Sequence, residues 1–321
     1  MNGAPGPGGH RPRSDLPGSD AALLVPRDVP DVRRLDRWRS SARLHALVPT
    51  PLALRATDVL YRAATRARPD RLEAARVGVR AVTPPGTREA TITRLATAAV
   101  AAQARAWELY HHPRDLAALR VDGLHHLVAA RDEGRGVLVS YVHYGPELAW
   151  LVLRRHLPIV AVLGDWITEP PPPGYRGLQV EHRRALLVAA GMGAAHAGSP
   201  GSATAQVRAL QTGGALLTAF DLPGRRPTRY LARTVGLVDS TARMSMMTGA
   251  PVLPGTAVPD GASWRIRLHA PLRPATYSSA ADLHQALADI HGDAVAAAPA
   301  HYLGPVREGM WRSADDTAWY R

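Results

Sequence analysis

The sequence predicts an α/β fold: a mainly parallel central sheet flanked by helices, with a helical N-terminal segment ahead of it. Three observations lead there. Between Thr91 and Leu109, the residues Ile92, Leu95, Ala99, Ala102, Ala106 and Leu109 recur at spacings of three and four, one face of a helix. After Gly134 short apolar runs alternate with helical stretches, the texture of strand–helix–strand units. The run from Gly136 to Val142 ends directly in a His and a helix start, a corner characteristic of open α/β sheets.

The elements follow in order. Residues 1 to about 30 are rich in Gly, Pro and Ser with no hydrophobic period and are expected to form a disordered tail. The rest, 31–321, reads as a single domain: a helical part over 31–130, an α/β core over 131–275 and closing helices over 276–321. The Ala-rich stripe of 91–109 predicts close packing against another element. Within the core, 136–142 reads as a buried strand and Glu147 to Leu157 as a helix, apolar on most sides and therefore buried. Pro158 to Leu163 is a second buried strand. The stretch Glu169-Pro-Pro-Pro-Pro-Gly174 can be neither helix interior nor central strand, and is expected as a stiff loop at that strand's end. Ala203 to Leu210 reads as a helix and Ala215 to Phe220 as a strand. Asp239, Ser240 and Thr241 are N-cap candidates for a short helix ending at Gly249. Val252 to Val258 and Trp264 to Leu268 read as strands, and Asp282 to Ala298 as the closing helix.

Composition narrows the chemistry. The 321 residues carry 39 cationic side chains against 27 acidic ones, a net charge of +12. Every cation is Arg: the sequence has no Lys and no Cys, a bias that fits a GC-rich genome. Without Cys there is no disulfide, no thiolate nucleophile and no Cys-based zinc or iron–sulfur site. Without Lys there is no Schiff base and no Walker-type phosphate lysine. No apolar run approaches the ~20 residues needed to span a bilayer, and no secretory h-region is seen at the N-terminus. A sequence pI of about 10.9 points to an anionic partner: nucleic acid, a membrane surface, an acidic carrier protein or a phosphorylated ligand.

The sharpest candidate site is Val142-His143-Tyr144-Gly145-Pro146-Glu147. Pro146 suits the first turn of a helix, where its missing N–H costs nothing. If the helix begins near Tyr144, His143 and Glu147 lie four residues apart on one face and can meet. A carboxylate against an imidazole fixes the tautomer and raises basicity, so His143 would serve as a general base. The plainer reading is a structural His beside a solvated Glu.

Further segments bear on that choice. Val121-Asp-Gly-Leu-His125, the run Gly134-Arg-Gly-Val-Leu-Val-Ser-Tyr-Val-His-Tyr-Gly145, Asp221-Leu-Pro-Gly224, Ser240-Thr-Ala-Arg243, Thr248-Gly-Ala-Pro-Val-Leu-Pro254, Ala298-Pro-Ala-His-Tyr302 and Trp311-Arg312 occur in an order and spacing that resemble the lysophospholipid acyltransferase superfamily. Within it, the likeness is to the branch of lipid A and phosphatidylinositol mannoside acyltransferases, over about residues 90–312. The resemblance implies an α/β acyltransferase without cofactor or metal. Its His deprotonates a hydroxyl or amine acceptor, which attacks an acyl-CoA or acyl carrier protein thioester with no acyl-enzyme. On this resemblance His143 is the base and Glu147 its orienting acid. Two departures stand out. The family spacing is H-x4-D/E and here it is H-x3-E; the family's D-Q-D reads Ala219-Phe220-Asp221. Asp221 either takes over the contact to the His or only ends its strand.

Other residues have both a functional and a bland reading. Arg225, Arg226, Arg229 and Arg233 could bind a donor pyrophosphate or an acceptor phosphate, or form a solvated face. Arg183 and Arg184 lie where the family carries an Arg for acceptor or carboxylate binding. Met244, Met246 and Met247 could line an acyl slot, and read better as core. The pairs His111-His112 and His125-His126 show no i, i+4 metal spacing and read as surface or packing residues. Asp165 reads as a turn residue, and Gly198-Ser-Pro-Gly201 is not a nucleophile elbow. Residues 41–62 carry Arg43, Arg55, Asp58 and Arg62 and cannot span a bilayer, though a basic amphipathic helix can lie on an anionic leaflet. The expected location is cytoplasmic, with peripheral contact at the inner face of the membrane as an option. Two other functions compete: a repurposed scaffold whose base activates a nucleophile for hydrolysis or ring closure, and a nucleic-acid binder. The second rests on charge alone, so nucleic acid is not an expected partner.

Overall fold

The structure is a computed structural model that describes residues 41–45, 47–164, 170–196 and 201–302. The tail expected over 1–30, Asp165, Glu169, the Gly198-Ser199-Pro200 segment and Trp311-Arg312 lie outside the described residues.

The N-terminal part is helical, as its periodicity requires. A short helix α1 (Ala42–His45) leads into α2 (Thr50–Arg66) and α3 (Pro69–Val82), and both of these pack on the long α4 (Glu89–Tyr110). Ile92, Ala96, Ala99, Ala102, Ala106 and Leu109 of α4 are buried, and their small side chains let the neighbouring helices approach closely. A short α5 (Pro113–Ala117) and strand β1 (Val121–Asp122) follow, then α6 (Leu124–Asp132).

The core sheet has seven strands: β1, β2 (Val137–Tyr141), β3 (Ile159–Leu163), β4 (Gly193–His196), β5 (Ala215–Ala219), β8 (Val252–Asp260) and β9 (Ser263–Leu268), in the order β1-β9-β8-β2-β5-β3-β4. The five strands from β8 to β4 are mutually parallel, and β9 turns back from β8 as an antiparallel hairpin with β1 parallel to it. β2 sits at the centre, buried at all five positions, which explains its apolar run, broken only by Ser140.

Each face of the sheet has its own core. On one, Val137, Val139 and Tyr141 pack with Trp150, Trp264 and the C-terminal end of α4. On the other, Leu138, Leu216 and Val252 meet Tyr230, Tyr302 and helix α10 (Ala280–Ala297). Ser279 caps α10, its hydroxyl accepting from the Asp282 N–H at 3.2 Å.

Several elements depart from the sequence reading. The stretch expected as an α-helix after β2 is a 3₁₀ helix, Glu147–Arg155, in which Leu148 to Leu153 are all buried. The helix α7 (Tyr175–Ala189) and strand β4 are additions to the expected set, as is a separate hairpin of β6 (Pro223–Tyr230) and β7 (Arg233–Leu237). That hairpin holds the expected arginine loop, and turns at Leu231 and Ala232, both at positive φ without a glycine. The helix α8 (Ser202–Gln211) matches expectation. So does α9 (Ser240–Thr248), which ends at a left-handed Gly249 but has no side-chain N-cap bond. Among the described residues no helix is long and apolar enough to cross a membrane.

Candidate active site

β2 and β5 are parallel neighbours with Tyr141 opposite Ala219. Two residues past each partner, on the same side of the sheet, come His143 and Asp221. Register thus brings together two residues 78 positions apart. After β2 the chain makes a tight turn centred on His143, closed by the Tyr144 N–H to the Val142 carbonyl at 2.6 Å. Gly145 then adopts φ 71°, and a Cβ there would lie 2.8 Å from the Trp264 ring and 2.9 Å from the Ala257 carbonyl. Only glycine fits this corner without displacing a buried Trp.

The geometry resolves the open question about Asp221. Its Oδ1 accepts from His143 Nδ1 at 2.7 Å, and its Oδ2 accepts from the His143 backbone N–H at 3.1 Å and the Tyr302 hydroxyl at 2.7 Å. Asp221 is fully buried, and these donors make its charge tolerable there. Burial pushes its carboxyl up, but the His143 ring, Tyr302 and the backbone N–H outweigh this and hold it below the usual carboxylate range. For His143, burial pushes the imidazole down; the Asp221 charge and hydrogen bond outweigh it, aided by Glu147 and opposed by Arg183, and raise it to about 9. The ring is 23% exposed, and with Nδ1 committed to Asp221 the atom left to act on a ligand is Nε2.

In the sequence Tyr302 is visible only as part of a closing segment. It is buried, bridges Tyr144 across a two-residue antiparallel contact, and is anchored beside the Gly145 N–H to His301 carbonyl bond of 2.8 Å. Phe220, just before Asp221, packs between the rings of His284 and His291 at centroid distances of 4.8 and 5.1 Å, which fixes the strand end.

The expected His143–Glu147 pairing is corrected. Helical winding begins only at Glu147, with Pro146 extended at ψ 118°, so the two residues do not share a helical turn. Glu147 instead forms an ion pair with Arg183 of α7. Arg183 is thereby engaged by a protein carboxylate, and Arg184 is paired with Glu181. Arg225, Arg226 and Arg229 are exposed on β6, where Arg226 pairs with Asp239 at 3.0 Å and the Arg229 backbone bonds the Gln285 side chain. Arg233 donates to the Arg80 carbonyl at 3.0 Å. Met244 is partly buried and packs against the core, whereas Met246 and Met247 are exposed rather than buried. The reading of His111 and His112 also changes: His112 is buried and lies 3.1 Å from Glu108, an i, i+4 carboxylate absent from the expected set.

Near the His–Asp pair is a tight apolar crevice with room for about one water, lined by Tyr141, Trp150, Ala161, Leu163, Met192 and Leu217 among others, with Glu147 the charged group among its described lining residues. Tyr141 joins the two, its ring 5.8 Å from that of His143. The arrangement is a basic imidazole, oriented by a buried carboxylate, at the edge of a narrow apolar cleft at the C-terminal ends of parallel strands. No protein-family model matches the chain, and no curated protein is detectably similar to it.

Proposed function

We propose that the protein is an acyltransferase that moves an acyl group from an acyl-CoA or acyl carrier protein thioester to a hydroxyl or amine acceptor. The observation that carries this reading is the His143 Nδ1–Asp221 Oδ1 bond of 2.7 Å, which leaves Nε2 as the base beside an apolar cleft. In the neutral form of the ring, populated as pH rises through about 9, Nε2 takes the acceptor proton as the acceptor oxygen or nitrogen attacks the thioester carbonyl. Asp221 holds the ring in the required tautomer and stabilises the imidazolium. The tetrahedral intermediate collapses with cleavage of the C–S bond, and the imidazolium returns the proton to the departing thiolate. No covalent acyl-enzyme is needed, in keeping with a chain that lacks Cys. The resemblance noted in the sequence adds the donor class.

In this reading Glu147 and Arg183 are a positioning pair at the cleft rather than members of the base. The exposed Arg225, Arg226 and Arg229 offer bidentate guanidinium contacts to donor phosphates or an acidic carrier. Helix α2 exposes Leu52, Val59 and Leu60 together with Arg55, a surface suited to peripheral contact with an anionic leaflet.

The test is product mass spectrometry with a panel of acyl-CoA donors and hydroxyl and amine acceptors. Transfer is expected in the wild type, with a loss of about 10²–10⁴-fold in His143→Ala. Thioester consumed with free acid as the only product would replace acyl transfer by hydrolysis at the same pair. No turnover of any thioester would remove the proposal.

A further inference from the structure

A second cluster lies away from the His143 site, where α1 meets the end of α4. His45 Nδ1 is 2.7 Å from Glu108 Oε1, and His112 Nε2 is 3.1 Å from the same oxygen. The three ligand atoms all lie within 4.8 Å of one another, and no other three His, Asp or Glu side chains among the described residues converge this closely. We propose that His45, Glu108 and His112 form a binding site for one divalent transition metal, zinc in particular, that staples the segment before α2 to the body of the protein.

The chemistry of the set fits. Two imidazoles and one carboxylate are borderline ligands of the type zinc takes, and three protein ligands leave one coordination position for a small exchangeable ligand. A tetrahedron with metal–nitrogen bonds of about 2.0–2.1 Å has edges of roughly 3.3 Å, so the observed separations require only small side-chain rotations to accept the ion. Glu108 and His112 are spaced i, i+4 on the final turn of α4 and just beyond it, so the helix fixes two ligands in advance. The third arrives from 63 residues earlier, which is what makes the group a cross-link rather than a local motif. The His45 ring is held by a flat stack on His111 at 4.0 Å and 9°, and His111 in turn contacts His182 of α7 at 4.6 Å. The side chains of His45, Glu108 and His112 are 19, 14 and 6% exposed, enclosed enough to exclude competing ligands and open enough on the His45 side to admit an ion.

The experiment uses the full chain without a polyhistidine tag. Isothermal titration with ZnCl₂ after chelator treatment should give one saturable site, and Co²⁺ in its place should give a tetrahedral ligand-field spectrum. At zinc 100-fold above Kd the melting temperature should rise by about 5 °C. His45→Gln and Glu108→Gln should each weaken binding by about 100-fold and remove the thermal shift, whereas the doubly substituted His125→Gln/His126→Gln protein should bind as wild type. Far-UV circular dichroism of each apo variant reports that it folds; should Glu108→Gln fail, the partly exposed position of His45 makes His45→Gln decisive. Absence of saturable binding, or binding and thermal shift unchanged in His45→Gln, would overturn the proposal.

Discussion

Asp221→Asn isolates the electrostatics of the His143 site from any assumption about substrate. In the wild type the imidazole is raised from its ordinary 6.5 to about 9 because the Asp221 charge and hydrogen bond overcome the opposing effect of burial. The substitution keeps the shape of the side chain and removes its charge, leaving burial to push His143 below 6.5. A group whose folded value is raised stabilises the folded protein fully below its unfolded value and loses that contribution as pH rises through the folded value. The window here is pH 6.5 to 9, and the shift corresponds to about 3 kcal/mol of pH-dependent stability. The lowered carboxyl of Asp221 acts in the acid range instead, present above about 3.8 and lost as pH falls, so it does not contribute to this window. The assay is urea unfolding of wild type and Asp221→Asn at pH 6 and 9.5 in buffer containing chelator. The wild type should lose about 3 kcal/mol more than the variant between the two pH values. Equal losses, or a titration of the assigned His143 ring near 6.5 in the wild type by NMR, would rule out control of His143 by Asp221.

Tyr302→Phe removes a donor to a fully buried carboxylate, at a cost of about 1.5–3 kcal/mol in urea unfolding. It should also lower kcat/KM about tenfold, whereas a purely structural Tyr302 would leave kcat/KM of the folded fraction unchanged. Gly145→Ala places a Cβ against Trp264 at positive φ and should destabilise by about 2 kcal/mol, read as a fall in the urea midpoint at unchanged slope. Ala161→Leu overfills the tight apolar crevice near His143 and should destabilise the fold by about 1–3 kcal/mol, read in urea unfolding.

What is legible in the sequence is whatever is local. The buried strand 137–141 and the alanine stripe of α4 declare themselves through runs and periods within a short window. The hairpin β6–β7 does not, because Pro223 to Tyr230 is polar and buries only Thr228 and Tyr230. β4 is three small residues and a His, too short for a period to show. His143 is readable as a strand-end His, but the only carboxylate that local spacing offers it is four residues away. The true partner is set by the register of β2 against β5, a property of the folded sheet that no spacing records. The same holds for Glu108, whose i, i+4 partner His112 is local, while His45 becomes a neighbour only once α1 has docked.

The three side chains of the base unit lie at 143, 221 and 302, separated by 78 and 81 residues and carried by the ends of two central strands and a closing segment. No short contiguous fragment of the chain contains all three. On the ribosome the full set of contacts to Asp221 cannot form until Tyr302 has emerged, however much of the sheet has formed. Contacts of such sequence range form late and at an entropic cost that local helices do not bear. Recovery of the raised His143 titration during refolding is therefore a clock for the docking of β2 against β5.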